Sequence, residues 1–222
     1  LDNRATEISE DRIIRGMVGR EITDRFPKRH NVEIGDVNME VKDWTVFHPL
    51  YPERKVVDGV NLNVRKGEVV GIYGLMGAGR TELAMSIFGR SYGTGISGTM
   101  TLNGETVELK TVKDAIKKKL AYVTEDRKGN GLVLTNPIKI NTTLANLDSI
   151  SSKKIIDKDK EYQVAVEYKE KLKTKAPTVE QNVGNLSGGN QQKVLLAKWM
   201  FADPEILILD EPCHGLDEEN RR

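Results

Sequence analysis

The feature that most constrains this chain is an apolar run that leads directly into a glycine-rich loop. Residues Val69 to Tyr73 are apolar on both faces, which is typical of a central strand in a parallel sheet. The loop begins at Gly74 and ends in Arg80, and residues 81–88 have helical character. Strand, glycine loop and helix in this order begin a nucleotide-binding βα unit, so we predict an α/β fold.

The loop itself reads Gly74-Leu75-Met76-Gly77-Ala78-Gly79-Arg80-Thr81, which is the spacing of a phosphate-binding loop. Glycines let backbone N–H groups turn toward phosphates, the helix start adds its dipole, and the Thr81 hydroxyl can reach Mg²⁺. On this motif alone, a glycine-rich turn that binds nothing remains an equal alternative. The reason is Arg80, because such loops carry lysine there and a planar guanidinium is not an equivalent replacement.

A second apolar run, Ile206 to Leu209, predicts another buried strand and ends in two acidic residues. In a phosphate-loop site, Asp210 would hold Mg²⁺ through water and Glu211 would polarise the attacking water. The alternative is a buried strand whose acids only meet solvent. The order and separation of the loop and this strand favour nucleotide binding.

A third motif, Leu186-Ser187-Gly188-Gly189-Asn190-Gln191-Gln192-Lys193, lies just ahead of the acidic strand. Ser187 and the amides of Gly188 and Gly189 at a helix N-terminus can form an anion site. Without the phosphate loop, an ordinary serine cap would be the preferred interpretation. Because one such site per nucleotide suffices, a second in the same chain suggests that it serves a phosphate bound elsewhere.

Further elements follow from periodicity and capping signals. Alternating apolar residues predict half-buried strands, and helical spacing with caps predicts helices. The predicted strands are 32–34, 39–41, 56–57, 60–64, 99–102 and 120–124, and the predicted helices are 111–118, 157–173 and 189–201. In the second of these helices, Tyr162, Val166 and Leu172 are expected to form the apolar face.

Together, these motifs resemble those of ABC transporter ATPases. Three stretches, Gly74 to Glu82, Thr124 to Lys128 and Asn190 to Lys193, look like the C-terminal ATPase domain of double-domain subunits. Those subunits serve bacterial importers of ribose, galactose, xylose or arabinose. The resemblance covers nearly the whole chain. It implies a P-loop NTPase of ABC type, with a mixed sheet and a helical subdomain, about residues 135–200, that carries the signature motif.

The resemblance also implies ATP and Mg²⁺ as ligands and gives roles to single residues. Thr81 and Asp210 are the implied metal-binding residues, and Glu211 and Glu125 the catalytic ones. Glu125 stands where most members have a glutamine that senses the γ-phosphate, and a carboxylate there repels phosphate unless Mg²⁺ intervenes. Tyr51 resembles the aromatic residue that stacks on adenine. The nucleotide-binding set is Tyr51, Gly74, Gly77, Ala78, Gly79, Arg80, Thr81 and Glu82, and the signature set is Leu186, Ser187, Gly188, Gly189, Asn190 and Gln191.

In ABC ATPases, two domains sandwich two nucleotides, each held by one domain's phosphate loop and the other domain's signature. The resemblance therefore implies that Ser187 and Gly189 complete a hydrolytic site on an upstream domain. Arg80 and Glu125 make this chain's own site degenerate, with a slowly hydrolysed nucleotide. The implied partners are that upstream domain or a second copy, membrane permease subunits and, indirectly, a sugar-binding protein. The implied location is peripheral, on the cytoplasmic face of the cell membrane.

Two alternatives remain: a regulatory nucleotide-binding module without hydrolysis, and a soluble ABC protein without a role in transport. The second class needs basic surfaces for RNA or long coiled-coil insertions. This chain has 34 basic and 33 acidic residues, a formal charge of +1, and shows neither feature. Composition therefore also argues against a nucleic-acid partner.

We expect residues 1–35 to form an interdomain linker with a short helix, and residues 36–222 to form the ATPase domain. Members of the family carry a catalytic histidine on a strand beyond the acidic one. His30, His48 and His214 all lie elsewhere. The expectation is a domain truncated at its C-terminus and inactive as an isolated chain.

Overall fold

The computed structural model describes residues 32–212. The strands are β1 (Val37–Phe47), β2 (Lys55–Arg65), β3 (Thr94–Leu102), β4 (Glu105–Thr106), β5 (Leu120–Val123), β6 (Ser151–Ser152), β7 (Ile155–Ile156) and β8 (Ile206–Leu209). The helices are α1 (Arg80–Ile87), α2 (Val112–Lys117), α3 (Ile138–Thr143), α4 (Lys158–Lys171) and α5 (Gly188–Phe201). A π-helical turn, Arg127–Gly131, follows β5. The predicted linker helix and His214 lie outside the described residues.

The first four strands form an antiparallel sheet in the order β2-β1-β3-β4. Val41 of β1 lies opposite Leu62 of β2 on one side and Met100 of β3 on the other. Trp44 of β1 is buried, and its Nε1 donates a hydrogen bond of 2.9 Å to Oγ of Ser86 in α1. The sheet therefore fixes the helix that follows the predicted phosphate loop.

Strands β5 and β8 form a parallel pair. Leu120 lies opposite Ile206 and Val123 opposite Leu209, and the N–H of Asp210 continues the ladder to the Val123 carbonyl at 2.9 Å. Because parallel strands point the same way, the residues that follow them leave the pair at one edge. The predicted acidic strand end and the predicted sensor segment after β5 therefore share that edge.

Helices α3, α4 and α5 pack on one another. Thr143 Oγ1 of α3 donates to the Glu161 carboxylate of α4 at 3.3 Å, and the Asn141 side chain connects α3 to the segment before it by accepting from Val133 N at 2.8 Å. All three helices fall in or next to the predicted helical subdomain. Its limits, like the domain boundary near residue 35, stay predictions.

The prediction of a central strand at Val69 to Tyr73 is wrong. The segment is irregular, no described strand pairs with it, and its side chains reach solvent, with Val69 75% and Tyr73 96% exposed. A strand that is apolar on both faces is stable only when a sheet surrounds it, and that requirement is non-local. Strand β8 likewise buries only one face: Ile206 is buried, whereas Leu207 and Leu209 are exposed.

One smaller prediction fails and another holds in part. Residues 32–34 are not a strand. On the predicted apolar face of α4, Val166 packs against the core, but Tyr162 is exposed while Glu161 and Ala165 are buried. The sequence pattern treats glutamate as a surface residue. Its hydrogen bond with Thr143 lets Glu161 turn inward instead.

Locally encoded elements are confirmed. Thr111 and Asp114 form the expected capping box before α2: Asp114 N donates to Thr111 Oγ1 at 3.2 Å, and Thr111 N donates to Asp114 Oδ2 at 3.0 Å. The helix predicted at 189–201 matches α5 to within one residue. Across residues 32–212, every helix is too short or too polar to cross a membrane.

Candidate nucleotide-binding site

The predicted phosphate loop adopts a tight glycine-dependent turn before α1. Gly77 and Gly79 have φ angles of 79° and 85°, which L-residues with a side chain rarely adopt. At Gly79, an added Cβ would also collide with the carbonyl oxygen of Val56 in β2. Ala78 N closes the turn by donating to the Leu75 carbonyl at 3.1 Å. The backbone conformation, rather than composition alone, therefore requires the glycines.

Helix α1 begins directly at the end of this loop. Gly79 is its N-cap and no side chain caps it, so the N–H groups of the first turn remain available to an anion. Thr81 and Glu82 lie in that first turn, with their side chains half-buried. The positive end of the helix dipole favours phosphate at the same place.

Arg80 joins the loop to the acidic end of β8. Its Nη2 lies 3.8 Å from Oε1 of Glu211. Glu211 itself has a φ of 44°, a left-handed conformation that is uncommon outside glycine and is often found at functional sites. The ion pair brings together two motifs that sequence analysis could relate only by their order.

Asp210, the predicted metal ligand, is oriented by a residue that sequence analysis missed. Tyr122 of β5 donates its hydroxyl to Asp210 Oδ2 at 2.9 Å. Burial, with a smaller contribution from the hydrogen bond to Asp210, raises the pKa of Tyr122 far above its ordinary value. Tyr122 therefore stays protonated and remains a donor. Its one sequence signal is a hydroxyl inside an otherwise apolar strand.

A cavity of about 590 Å³ lies between the irregular segment that precedes the loop and β8. Arg80, Asp210 and Glu211 line it together with apolar side chains such as Val70 and Leu209. Among the described residues, the rest of the predicted site does not line it: Tyr51, residues 74–79 of the loop, Thr81, Glu82, Glu125 and the signature residues. The structure thus groups the loop cation with the acidic strand end and leaves the signature apart.

Tyr51, the predicted adenine-stacking residue, lies in the turn between β1 and β2. Its ring is 55% exposed, and its centroid lies 5.0 Å from that of His48. His48 Nδ1 accepts a hydrogen bond of 3.0 Å from the N–H of Leu50, which fixes this turn. The Tyr51 ring is accessible to a stacked base.

Glu125, the predicted sensor, is exposed at the end of β5 and precedes the π-helical turn. Helix α5 holds this turn at both ends. Arg127 Nε donates to Gln191 Oε1 at 3.3 Å, and Lys198 Nζ donates to the Gly131 carbonyl at 2.8 Å. The segment that follows the predicted sensor is therefore connected to the helix that carries the predicted signature.

Lys198 is the second residue that sequence analysis missed. It is 8% exposed, and burial lowers its pKa to about 8. Its ammonium group also lies 4.7 Å from the centroid of the Trp199 ring. Its position in the sequence could have indicated burial, because residues 191, 195 and 198 share one face of α5.

The signature residues form a preorganised turn at the start of α5. Ser187 is the N-cap residue, yet its side chain makes no cap bond, so the ordinary serine cap does not occur. Asn190 Nδ2 donates to Ser187 Oγ at 2.9 Å instead. Gln191 Nε2 donates to the Leu186 carbonyl at 3.1 Å, and Gly188 begins the helix.

The family model described as "ABC transporter" matches residues 57–214, which is well over half of the sequence. The chain belongs to the ABC transporter family. The matched region includes the phosphate loop, the signature and the acidic strand end. The family assignment of the sequence analysis is therefore confirmed.

Curated relatives of this ABC chain are named for sugar transport. The L-arabinose transport ATP-binding protein AraG of Geobacillus stearothermophilus is 57% identical over 217 residues, which is 98% of this chain and 42% of that protein. The xylose import ATP-binding protein XylG of Thermoanaerobacter pseudethanolicus is 46% identical over 98% of this chain and 43% of its own length. The ribose import ATP-binding protein RbsA of Clostridium perfringens is 44% identical over 95% and 40%. The chain thus spans less than half the length of these relatives.

Solved structures show the same fold. The ATP-binding cassette MJ0796, in a dimeric structure bound to ADP and Pi, matches with a TM-score of 0.69 at 21% identity. That match covers 82% of this chain and 77% of the other. The ADP conformation of the cassette MJ1267 matches with a TM-score of 0.63 at 21% identity, over 82% and 71%. The predicted α/β fold of ABC type, with a mixed sheet and helices, is confirmed.

Proposed function

We propose that this chain is the C-terminal nucleotide-binding domain of a double-domain ATP-binding subunit in a bacterial monosaccharide importer. The names of the relatives support sugar import, and the share of their length that the chain covers supports a half of such a subunit. The subunit works on the cytoplasmic face of the membrane. It binds permease subunits directly and depends indirectly on a sugar-binding protein.

The contact between Arg80 and Glu211, at 3.8 Å, carries this proposal. It brings a cation for phosphate and a carboxylate for water activation to one edge of one cavity. The uncapped start of α1 adds N–H donors for phosphate, and the exposed Tyr51 ring adds a surface for adenine. These residues fit ATP.

Two of the proposed site residues suit Mg²⁺ by the chemistry of their donor atoms. The Thr81 hydroxyl and the Asp210 carboxylate are hard oxygen ligands, and Mg²⁺ is usually held by one or two such groups together with substrate phosphates. Tyr122 engages Oδ2 of Asp210 and leaves Oδ1 for the ion or its water. When bound, Mg²⁺ would offset phosphate charge.

The two predicted anion sites then take unlike roles. Arg80 lies against Glu211, so the carboxylate that should polarise water is already paired with a cation, and hydrolysis at this chain's own loop is slow. Ser187 and the N–H of Gly189 complete the competent site on the upstream domain. These unlike roles explain why the chain has an intact signature but a degenerate phosphate loop.

The test compares Ser187→Ala with Arg80→Ala in the full-length subunit, assembled with its permease. Removing one preorganised donor from a charged transition state costs about 10²- to 10³-fold in rate, so Ser187→Ala should lower ATP turnover by about that factor. Arg80→Ala should change turnover by less than about threefold while it shortens retention of the slowly exchanging nucleotide. Ser152→Ala in exposed β6 is the matched control. The opposite pattern would contradict the proposal.

A second candidate is a regulatory module without hydrolysis, which the ion pair favours for this chain's own site. An Arg80 guanidinium that stays on Glu211 after nucleotide binds would hold the site inactive. Vanadate trapping separates the two functions, since only a hydrolytic assembly forms a trapped nucleotide complex. We expect one trapped nucleotide per assembly and its loss in Ser187→Ala.

A further inference from the structure

The amide of Asn190 has only one possible orientation. The backbone N–H of Lys175 donates to Asn190 Oδ1 at 2.8 Å. A backbone N–H is always a donor, so the atom that faces it must be the amide oxygen. The NH₂ group of Asn190 therefore faces the other way, toward Ser187.

Ser187 consequently receives a hydrogen bond and cannot return it to the same partner. Asn190 Nδ2 lies 2.9 Å from Ser187 Oγ, and an amide NH₂ can only donate. The Ser187 proton must point away from Asn190. Nor is the hydroxyl engaged as an acceptor for its own helix, because the side chain of this N-cap residue makes no cap bond.

The segment that sets this orientation is itself held in place. It follows α4, and Lys193 Nζ donates to the Lys173 carbonyl at 3.1 Å, two residues before the N–H that orients the Asn190 amide. Residues 190 and 193 lie one turn apart on α5. The orientation of the Ser187 hydroxyl thus depends on a connected chain of bonds from α5 through this segment and back.

We propose that Asn190 is a positioning residue that keeps the Ser187 hydroxyl directed outward as a hydrogen-bond donor to an anionic phosphate oxygen. This inference rests on the proposed function, in which Ser187 contacts the nucleotide of the upstream site. Asn190 contributes no contact to phosphate in this role. It acts by determining which partner the serine proton can reach.

The decisive comparison is Asn190→Asp against Asn190→Ala, measured as MgATP turnover by the assembled full-length transporter. Aspartate keeps the shape and the bond from Lys175 N, but its second oxygen accepts the serine proton and turns the hydroxyl inward. Alanine leaves the hydroxyl free to rotate. We expect about a 30- to 100-fold loss for Asn190→Asp and about a 3- to 10-fold loss for Asn190→Ala. A structural role alone predicts the reverse order, because aspartate is the closer isostere.

Two controls distinguish the effect of the Ser187 hydroxyl orientation from the effects of added charge and of misfolding. Asn185→Asp adds the same charge two residues before Ser187, at an exposed side chain, and should change turnover by less than about twofold. Thermal unfolding should show Asn190→Asp at least as stable as Asn190→Ala.

The double variant Ser187→Ala/Asn190→Asp completes the test. If Asn190 acts through the serine proton, the double variant should match Ser187→Ala within about twofold. If Asn190→Asp lowers turnover as much in the Ser187→Ala background as in the wild type, aspartate repels phosphate directly and the inference is overturned. The inference is also overturned if Asn190→Ala lowers turnover more than Asn190→Asp does. Wild-type turnover in Ser187→Ala would instead contradict the proposed function itself, so the two failures are distinguishable.

Discussion

The phosphate-loop region, residues 68–81, and the signature region, residues 186–191, are both predicted to bind phosphate, yet they are held in different ways. In the first region, the segment before the loop is irregular, and Tyr73 and Met76 are 96% and 98% exposed. Its cation Arg80 contacts the end of β8 at 3.8 Å, at the edge of an open cavity. The order of this region depends on distant parts of the chain.

The signature region is held mainly by bonds to residues that are near in sequence. Asn190 bridges Ser187 and Lys175, and Gln191 donates to the Val183 and Leu186 carbonyls at 3.3 and 3.1 Å. Most of these contacts join residues fewer than ten positions apart. The contrast teaches that bonds among residues near in sequence can arrange the signature, whereas the phosphate loop depends on non-local packing.

The largest expected effect comes from Gly79→Ala, which disrupts the phosphate loop and leaves the signature region unchanged. The added Cβ meets the Val56 carbonyl, and alanine must adopt a φ of 85°. Overpacking and left-handed strain together should cost about 2–4 kcal/mol and abolish nucleotide binding at this loop. Urea unfolding and titration with a fluorescent ATP analogue measure the two effects.

Gly77→Ala is the matched control for that variant. Gly77 has a similar φ of 79°, but nothing lies within 4 Å of an added Cβ. We expect only the backbone cost of about 1 kcal/mol. Equal losses in the two variants would show that the contact with Val56 does not shape the loop.

An intermediate effect should come from Lys198, which links α5 to the π-helical turn after Glu125. Because burial lowers its pKa to about 8, from an ordinary 10.5, the unfolded chain binds more protons than the folded chain between these values. The free energy of unfolding should therefore rise with pH across that window and show no such slope below it. Relative to Lys198→Met, the wild type should gain about 3 kcal/mol from pH 8 to 10.5, measured by urea unfolding.

Lys193→Met is the control on the same helix. Lys193 also donates to a backbone carbonyl, at 3.1 Å, but it is only partly buried. It should keep the wild-type pH slope. A Lys198→Met variant that kept that slope too would show that the buried ammonium group is not its source.

The smallest effect should come from Tyr122→Phe, on the phosphate-loop side again. The variant removes the hydroxyl that donates to Asp210 Oδ2 and changes little else. A lost supporting bond to a metal-binding carboxylate weakens metal binding about tenfold. The Mg²⁺ concentration for half-maximal nucleotide binding should rise by about that factor. Nucleotide binding without Mg²⁺ should not change.

The same contrast explains what the sequence could predict. The start of α5 was predicted to within one residue, and the capping box at Thr111, which depends on a partner three residues away, was predicted correctly. The strand at Val69 to Tyr73 was not, because hydrophobicity records the preference of a segment and not whether a sheet surrounds it. Lys198 was missed for a related reason. Sequence patterns predict that a lysine is exposed, and the buried partner of Lys198, the Gly131 carbonyl, is known only from the structure.

The placement of the two tryptophans gives the chain a pair of built-in optical probes. Trp44 is hydrogen-bonded to Ser86 in the helix after the phosphate loop, and Trp199 lies in α5 with its ring centroid 5.4 Å from that of Phe88. Both indoles are buried, so each should emit at short wavelength when folded. Single-tryptophan variants would let one spectrum follow the loop and the other follow the signature helix, without an added dye.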